Sequence, residues 1–284
     1  MWNKALCLGT NSEFEISDSK QISLFRDSGF EGIFTYYRHD LNLDEFALQV
    51  RENGMIFQSV HAPFDKTDAM WEGDKEKADA AFSELKECLD SCIRNEIPIM
   101  VVHAFIGFDK HCPTNEGIER FGRLVRLAEG SGVKIAFENT EGIEYLDALL
   151  RAFYGNKTVG FCWDSGHEMC YNYSEDLLLK YGDSLICTHL NDNLGIKDIN
   201  GKITFKDDLH LLPFDGIANW ENIALRLNKT AFDGILTFEL NRCSKPGRHE
   251  NDKYSQMPIE MYISEAYARA CRVAKLMGDL KKSG

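Results

Sequence analysis

The sequence predicts a (β/α)8 barrel formed by a single domain over residues 1–284, and three observations lead there. Short apolar runs alternate with amphipathic segments along the whole chain. The runs are apolar on both faces, as parallel strands covered by helices are. There are eight of them in 284 residues, close to the ~250 residues typical of such barrels. An open doubly wound sheet is the second architecture that fits. Its dinucleotide-binding form is disfavoured, because no G-x-G-x-x-G turn follows the first run.

In chain order the strand-like runs are Lys4–Gly9, Glu31–Tyr36, Met55–Val60, Ile97–His103, Val133–Glu138, Thr158–Asp164, Ser184–Leu190 and Gly234–Leu240. Helical segments lie between them. Asp18–Ser28 stops at Gly29 and Leu41–Asn53 at Gly54, both glycine C-terminal stops. Across Asp74–Asn95, Ala78, Ala81, Phe82, Leu85, Cys88, Leu89, Cys92 and Ile93 recur at intervals of three and four and make one apolar stripe. Ile118, Phe121, Leu124, Val125 and Ala128 repeat that pattern up to Gly130. Ile143–Phe153, Ser174–Tyr181, Asn219–Asn228 and Pro258–Met277 complete the set.

Composition narrows the partners. The chain has 32 Lys+Arg against 45 Asp+Glu, a formal net charge of −13, which works against nucleic acid and anionic membranes. Apolar residues make up 44% and charged residues 27%, ordinary for a folded protein and unlike a disordered one. The longest apolar stretch, 97–108, is too short and too polar to span a bilayer. The N-terminus lacks the cationic and apolar regions of a signal peptide, which predicts a cytoplasmic protein. The nine cysteines form no C-x-x-C pair and are expected as reduced, buried thiols. Helical barrel exteriors often pair, so a homo-oligomer is compatible with the sequence.

The chemistry sits at the strand ends. His61 follows the third run, His103 ends the fourth, Glu138 the fifth and Asp164 the sixth, with His167 one turn later. His189 lies near the end of the seventh run and Glu239 near that of the eighth. Asp208 and His210 fall in the long connection between those two runs. In a (β/α)8 barrel all strand C-termini open on one face, so these side chains are expected to converge there. Imidazoles with carboxylates suit Zn2+, Mn2+ or Fe2+ without thiolate ligands. Any one of these residues alone is more often a cap or a packed core residue. Five of the eight histidines at such positions are not explained that way together.

The strand-end motifs resemble the xylose-isomerase-like barrel superfamily of sugar isomerases, sugar epimerases and endonuclease IV. The motifs are Val102-His103-Ala104, Phe137-Glu138-Asn139-Thr140, Cys162-Trp163-Asp164-Ser165-Gly166-His167-Glu168, Thr188-His189-Leu190-Asn191-Asp192-Asn193, 207–220 and Thr237-Phe238-Glu239-Leu240. The resemblance covers nearly the whole chain. It implies one divalent ion, Zn2+ or Mn2+, on Glu138, Asp164, His189 and Glu239. By resemblance to the three-zinc site of endonuclease IV, up to two more ions would use His61 and His103, and His167, Asp208 and His210.

Two enzyme chemistries and one non-catalytic role follow from the resemblance. In a sugar isomerase or epimerase, Glu138 and Glu239 would lie on opposite faces of a sugar or sugar phosphate and move a proton next to its carbonyl, while His167 binds a substrate hydroxyl. In an endonuclease IV-like phosphodiesterase, a three-metal cluster would cut abasic DNA. The ligand set favours the second. The acidic, mixed-sign mouth loops around Asp40, Asp65, Asp74 and Asp109 favour the first, with no nucleic acid bound. The seventh-run motif departs from both: Asn193-Leu194-Gly195 replaces the Ser-Lys of the nuclease, and only Lys197 stands where ketose 3-epimerases carry an Arg. A degenerate barrel that binds a metal or small molecule without turnover is the third class. Trp163, Phe105, Phe108, Phe64 and Trp71 are candidate apolar walls of the site.

Overall fold

The computed structural model describes residues 5–109, 112–196 and 202–280. Lys4, at the start of the first predicted strand, and Lys110, His111 and Lys197 lie outside them. Eight parallel strands line the centre: β1 (Leu6–Gly9), β2 (Gly32–Tyr36), β3 (Ile56–His61), β4 (Ile99–His103), β5 (Lys134–Glu138), β6 (Val159–Asp164), β7 (Leu185–His189) and β8 (Leu236–Phe238). Each pairs with the next, and β1 also pairs with β8. Between β7 and β8 the ring closes through a Leu190–Phe238 bridge, where Leu190 N donates to Thr237 O at 2.8 Å. This is the (β/α)8 barrel that the sequence predicts.

The main outer helices are α1 (Asp18–Ser28), α2 (Leu43–Glu52), α3 (Lys75–Arg94), α4 (Asn115–Ala128) and α5 (Ile143–Ala152). After β6 come α6 (Ser165–Cys170), α7 (Leu177–Tyr181), α8 (Trp220–Lys229), α9 (Asp252–Ser255) and α10 (Ile259–Leu280). Side-chain caps start them: Ser17, Asn42, Asp74 and Thr114 each accept a first-turn N–H. The α3 stripe is buried as its periodicity requires. No helix among the described residues is long and apolar enough to cross a membrane.

Some segments differ from the sequence reading, among them α9, which it did not contain. The helix expected over Ser174–Tyr181 begins only at Leu177, because Tyr173 and Ser174 take left-handed backbone angles (φ 53° and 55°). The short helix α6 has no apolar periodicity to announce it. Asp164 starts it by accepting the His167 N–H at 2.6 Å.

Alternation along the strands sets the inside of the barrel. Val101, Ala136, Cys162 and Cys187 form a small buried layer within it. Two residues further along the same strands stand His103, Glu138, Asp164 and His189, so a layer of titratable groups lies directly above small apolar ones. Register ties that upper layer together: His103 pairs with Glu138, and Asp164 with His189. Residues of opposite parity, such as Phe137 and Phe161, join the larger core under the helices.

Candidate metal centre

The nine predicted residues converge at the C-terminal mouth as three linked groups. The central one is Glu138, Asp164, His189 and Glu239, with one donor atom from each lying within 4.8 Å of the others. His189 Nδ1 is 2.6 Å from Glu138 Oε1 and 3.1 Å from Glu239 Oε2. On one side, His61 Nε2 and His103 Nε2 each approach Glu138 Oε2 at 3.2 Å. On the other, Asp208 Oδ2 is 2.7 Å from His210 Nε2 and 3.5 Å from His167 Nε2.

Local structure explains how each arrives. Asn191 Nδ2 donates to Asp164 Oδ2 at 2.8 Å and His167 N to Asp164 Oδ1 at 2.6 Å, so both carboxylate oxygens are fixed, while the Asp164 backbone N–H donates to Asn139 Oδ1 at 2.8 Å. A Cβ on Gly166 would stand 1.9 Å from Asn191 Oδ1, so only glycine leaves room for that clamp. The β7–β8 connection is anchored by buried Asp192. It accepts from Phe214 N at 2.9 Å, Ala218 N at 3.0 Å and Trp220 Nε1 at 2.8 Å. Asp192 and Leu211 also exchange backbone hydrogen bonds, which brings Asp208 and His210 back over the mouth.

Sequence reasoning missed Tyr36, at the end of β2. Its hydroxyl donates to the Glu239 carboxylate and its ring lies 5.1 Å from that of His61. The signal was its strand-end position, but a search for imidazoles and carboxylates passes over a phenol. Asn139 and Asn191 were missed for the same reason.

The charges are balanced within the cluster. Burial pushes the Glu138 carboxyl up, but His189, His103 and His61 outweigh it and hold it well below the ordinary range. Burial is likewise outweighed at Glu239 by His189 and His210, leaving it low. Asp164 goes the other way, pushed up to about 6 by burial and by the nearby Glu138 and Glu239, against the pull of His167 and His210. Burial lowers His189, but Glu138 and Glu239 raise it well above normal. His210 reaches about 9, because Asp208 and Glu239 overcome the same burial.

This donor set fits a divalent ion. Three carboxylates in one buried cluster repel one another unless protons or a cation sit among them. Hard oxygens with imidazole nitrogen are the ligands that Zn2+ and Mn2+ share. The buried atoms His189 Nε2, His103 Nδ1 and Asp208 Oδ1 also have no hydrogen-bond partner.

The ion must displace protons, which gives a pH prediction. Asp164 titrates near 6, and raised His189 and His210 hold protons at neutral pH. Zinc titration at pH 7 in weak buffer should therefore release protons, and affinity should fall as pH drops from 7 to 5. Affinity independent of pH over that range would remove these groups from the ligand set.

Two cavities flank the cluster. One, of about 740 Å3, is lined by residues that include Thr10, Tyr36, Arg38, Phe64 and Lys66. The other, of about 560 Å3, is lined by Phe108, Tyr171, Glu141 and Glu175 among others. Phe64 stacks on His103 at 4.6 Å, and Tyr171 on His167 at 5.0 Å, so aromatic rings border both lobes. Phe105 instead packs on Tyr145 at 4.0 Å, and Trp71 donates from Nε1 to Ala104 O at 2.7 Å beside it. Trp163 is not a wall of the site. Next to inward Asp164, it points outward by strand alternation, is fully buried, and donates from Nε1 to Glu168 at 2.8 Å.

Comparison with known proteins places this fold. The family model described as xylose isomerase-like TIM barrel matches residues 21–260. An uncharacterized protein of Sinorhizobium fredii is 38% identical over 162 residues, covering 56% of this chain and 44% of that protein. The match thus spans less than half the length of that relative. The crystal structure of an IolI protein with a zinc atom is similar at TM-score 0.74 and 19% identity, over 95% of this chain and 98% of that one. That of a D-tagatose 3-epimerase-like protein is similar at TM-score 0.69 and 18% identity, over 94% of this chain and 98% of that one. At these identities the structural likeness shows the fold.

Proposed function

The chain belongs to the xylose isomerase-like TIM-barrel family, and from that premise we propose that it is a divalent-metal-dependent isomerase or epimerase of a sugar-type substrate. The observation that carries this reading is the pair Glu138 and Glu239. They come from the ends of β5 and β8, face one imidazole at 2.6 and 3.1 Å, and are both held low and ionised. Two fixed carboxylates can take a proton from a carbon next to a carbonyl and return one to it.

Glu138, Asp164, His189 and Glu239 would hold the ion, Zn2+ or Mn2+. Bound there, it supplies a Lewis acid that polarises a carbonyl and the hydroxyl beside it. The chain's own groups do the rest. The Tyr36 hydroxyl orients the Glu239 carboxylate. His167, fixed through Nδ1 to Asn139 O at 2.9 Å, presents Nε2 to a substrate hydroxyl. Phe64 and Tyr171 exclude water from the two sides. The IolI relative with its zinc atom and the D-tagatose 3-epimerase-like relative support this reading.

A neutral sugar suits the mouth better than its phosphate. Arg38 is paired with Asp18 and Asp40, and Lys66 with Glu84. The other lobe carries Asp109, Glu141, Glu144 and Glu175 against Lys202 among its described residues. The nuclease reading is favoured by the complete His61–His103–Glu138 and His167–Asp208–His210 groups. It asks a duplex polyanion to approach a chain of net charge −13.

A substrate panel in deuterated water separates these readings. Aldoses and ketoses should gain deuterium next to the carbonyl. Their phosphate esters should react about tenfold less well or worse, because like charges meet at the mouth. An abasic-site duplex at low salt should stay intact. Strand cleavage that disappears in Glu138→Ala would replace the isomerase reading with the nuclease one.

A further inference from the structure

A buried carboxylate is ordinarily paired with a cation or ringed by donors, because its charge is costly to remove from water. Glu141 departs from that rule. It sits on the turn between β5 and α5 and exposes only 8% of its surface. Among the described residues its carboxylate accepts a hydrogen bond from Gly107 N alone, at 2.9 Å on Oε1, and forms no ion pair with a lysine, arginine or histidine. The turn that carries it is held from two sides. The Thr140 hydroxyl donates to Phe105 O at 3.0 Å, and Asn172 Nδ2 donates to Thr140 O at 2.8 Å.

Glu141 borders the cavity of about 560 Å3. That lobe begins one ring away from the metal centre, since Tyr171 lines it and stacks on His167 at 5.0 Å. Phe108, on the same lining, meets Tyr171 edge to face at 5.7 Å. The other carboxylates there, Asp109, Glu144 and Glu175, are exposed, and Glu175 pairs with Lys180 at 3.5 Å. Glu141 is therefore the buried one. The N-terminus of α5 also faces the cavity through Gly142 and Ile143. Such an end draws anions, but Glu141 and Glu144 already place negative charge beside it. The lining is complementary to a positive charge, and aromatic faces add to the attraction for an ammonium group.

We propose that this lobe is a substrate subsite for an ammonium group, with Glu141 as its specificity-determining residue. The amine N–H groups donate to the Glu141 carboxylate beside Phe108 and Tyr171, while the rest of the sugar extends toward His167. The proposal rests on the sugar-enzyme reading above and narrows its substrate to amino sugars. Hydroxyl groups also donate to carboxylates, but they leave the buried charge uncompensated.

Calorimetric titration of the zinc-incubated protein with D-glucosamine, D-mannosamine and D-galactosamine tests this, each run beside its neutral parent and the matching uronate. At least one amino sugar should bind about 10- to 100-fold more tightly than its parent, the range of a hydrogen bond to a charged group, and the uronate more weakly than either. Glu141→Gln keeps an oxygen for Gly107 N. It should erase the advantage of the amine and leave the affinity for the neutral parent unchanged. Glu141→Asp keeps the charge and should retain part of the advantage. The wild-type ranking of amine over neutral sugar over uronate decides the matter where a variant does not fold. The proposal is overturned if no amino sugar binds more tightly than its parent, if the advantage survives in Glu141→Gln, or if a uronate binds best, which would mark an anion site at α5. Deuterium exchange into the same sugars keeps the two readings apart. Exchange without preference for the amine removes the proposal and leaves the isomerase. A Glu141-dependent preference with no exchange into any of them leaves the subsite standing without the isomerase.

Discussion

Glu239→Gln should slow deuterium exchange into a sugar substrate by roughly 10²–10⁴, the usual contribution of a positioned general base. The substitution keeps the side chain's size and an oxygen toward His189, so the site should keep its shape. It removes the negative charge that lets the group hold a proton. Glu239 is poised for that part: His189 and His210 overcome its burial and keep it ionised, and the Tyr36 hydroxyl fixes one of its oxygens. Exchange should be followed by mass spectrometry on substrate recovered at equal metal loading. Turnover like that of the wild type in Glu239→Gln would remove this residue from the proton-transfer step and leave Glu138 without its counterpart.

Zinc or manganese should raise the melting temperature of the wild type and leave Asp164→Ala unmoved. An ion that binds only the folded chain stabilises it by mass action, about 4.1 kcal/mol when free ion exceeds Kd by 1,000-fold. Without ion the same variant should already be weaker. Asp164 accepts from the His167 N–H at 2.6 Å and from Asn191 Nδ2 at 2.8 Å, and both donors are buried. Stranding buried donors costs about 1–3 kcal/mol each. Thermal melts with and without ion measure both effects. An ion-induced rise in Asp164→Ala equal to the wild type's would show that the ion binds elsewhere.

Much of this site was legible because strands punctuate the sequence. Apolar runs ending in His103, Glu138 and Asp164, and a run with His189 near its end, place those side chains in one layer once the runs are taken as parallel strands. Asp208 and His210 could be assigned to the mouth connection, but not positioned in it. Their placement depends on Asp192 gathering N–H groups from Phe214, Ala218 and Trp220, a tertiary arrangement without a local pattern. Tyr36 escaped notice because a phenol at a strand end looks like ordinary β-strand composition. Trp163 could have been excluded as a wall from sequence alone, since the residue next to an inward Asp164 must point outward. The late start of α7 reflects left-handed angles at Tyr173 and Ser174, which neither residue type announces.

The central claim is a resident divalent ion on Glu138, Asp164, His189 and Glu239, and elemental analysis of the protein purified without added metal tests it most directly. The expected result is at least one zinc or manganese ion per chain in the wild type, lost in Glu138→Ala and in Asp164→Ala while both variants remain folded. Metal content unchanged in both variants, or a folded wild type that holds no divalent ion even after incubation with zinc and manganese, would contradict it.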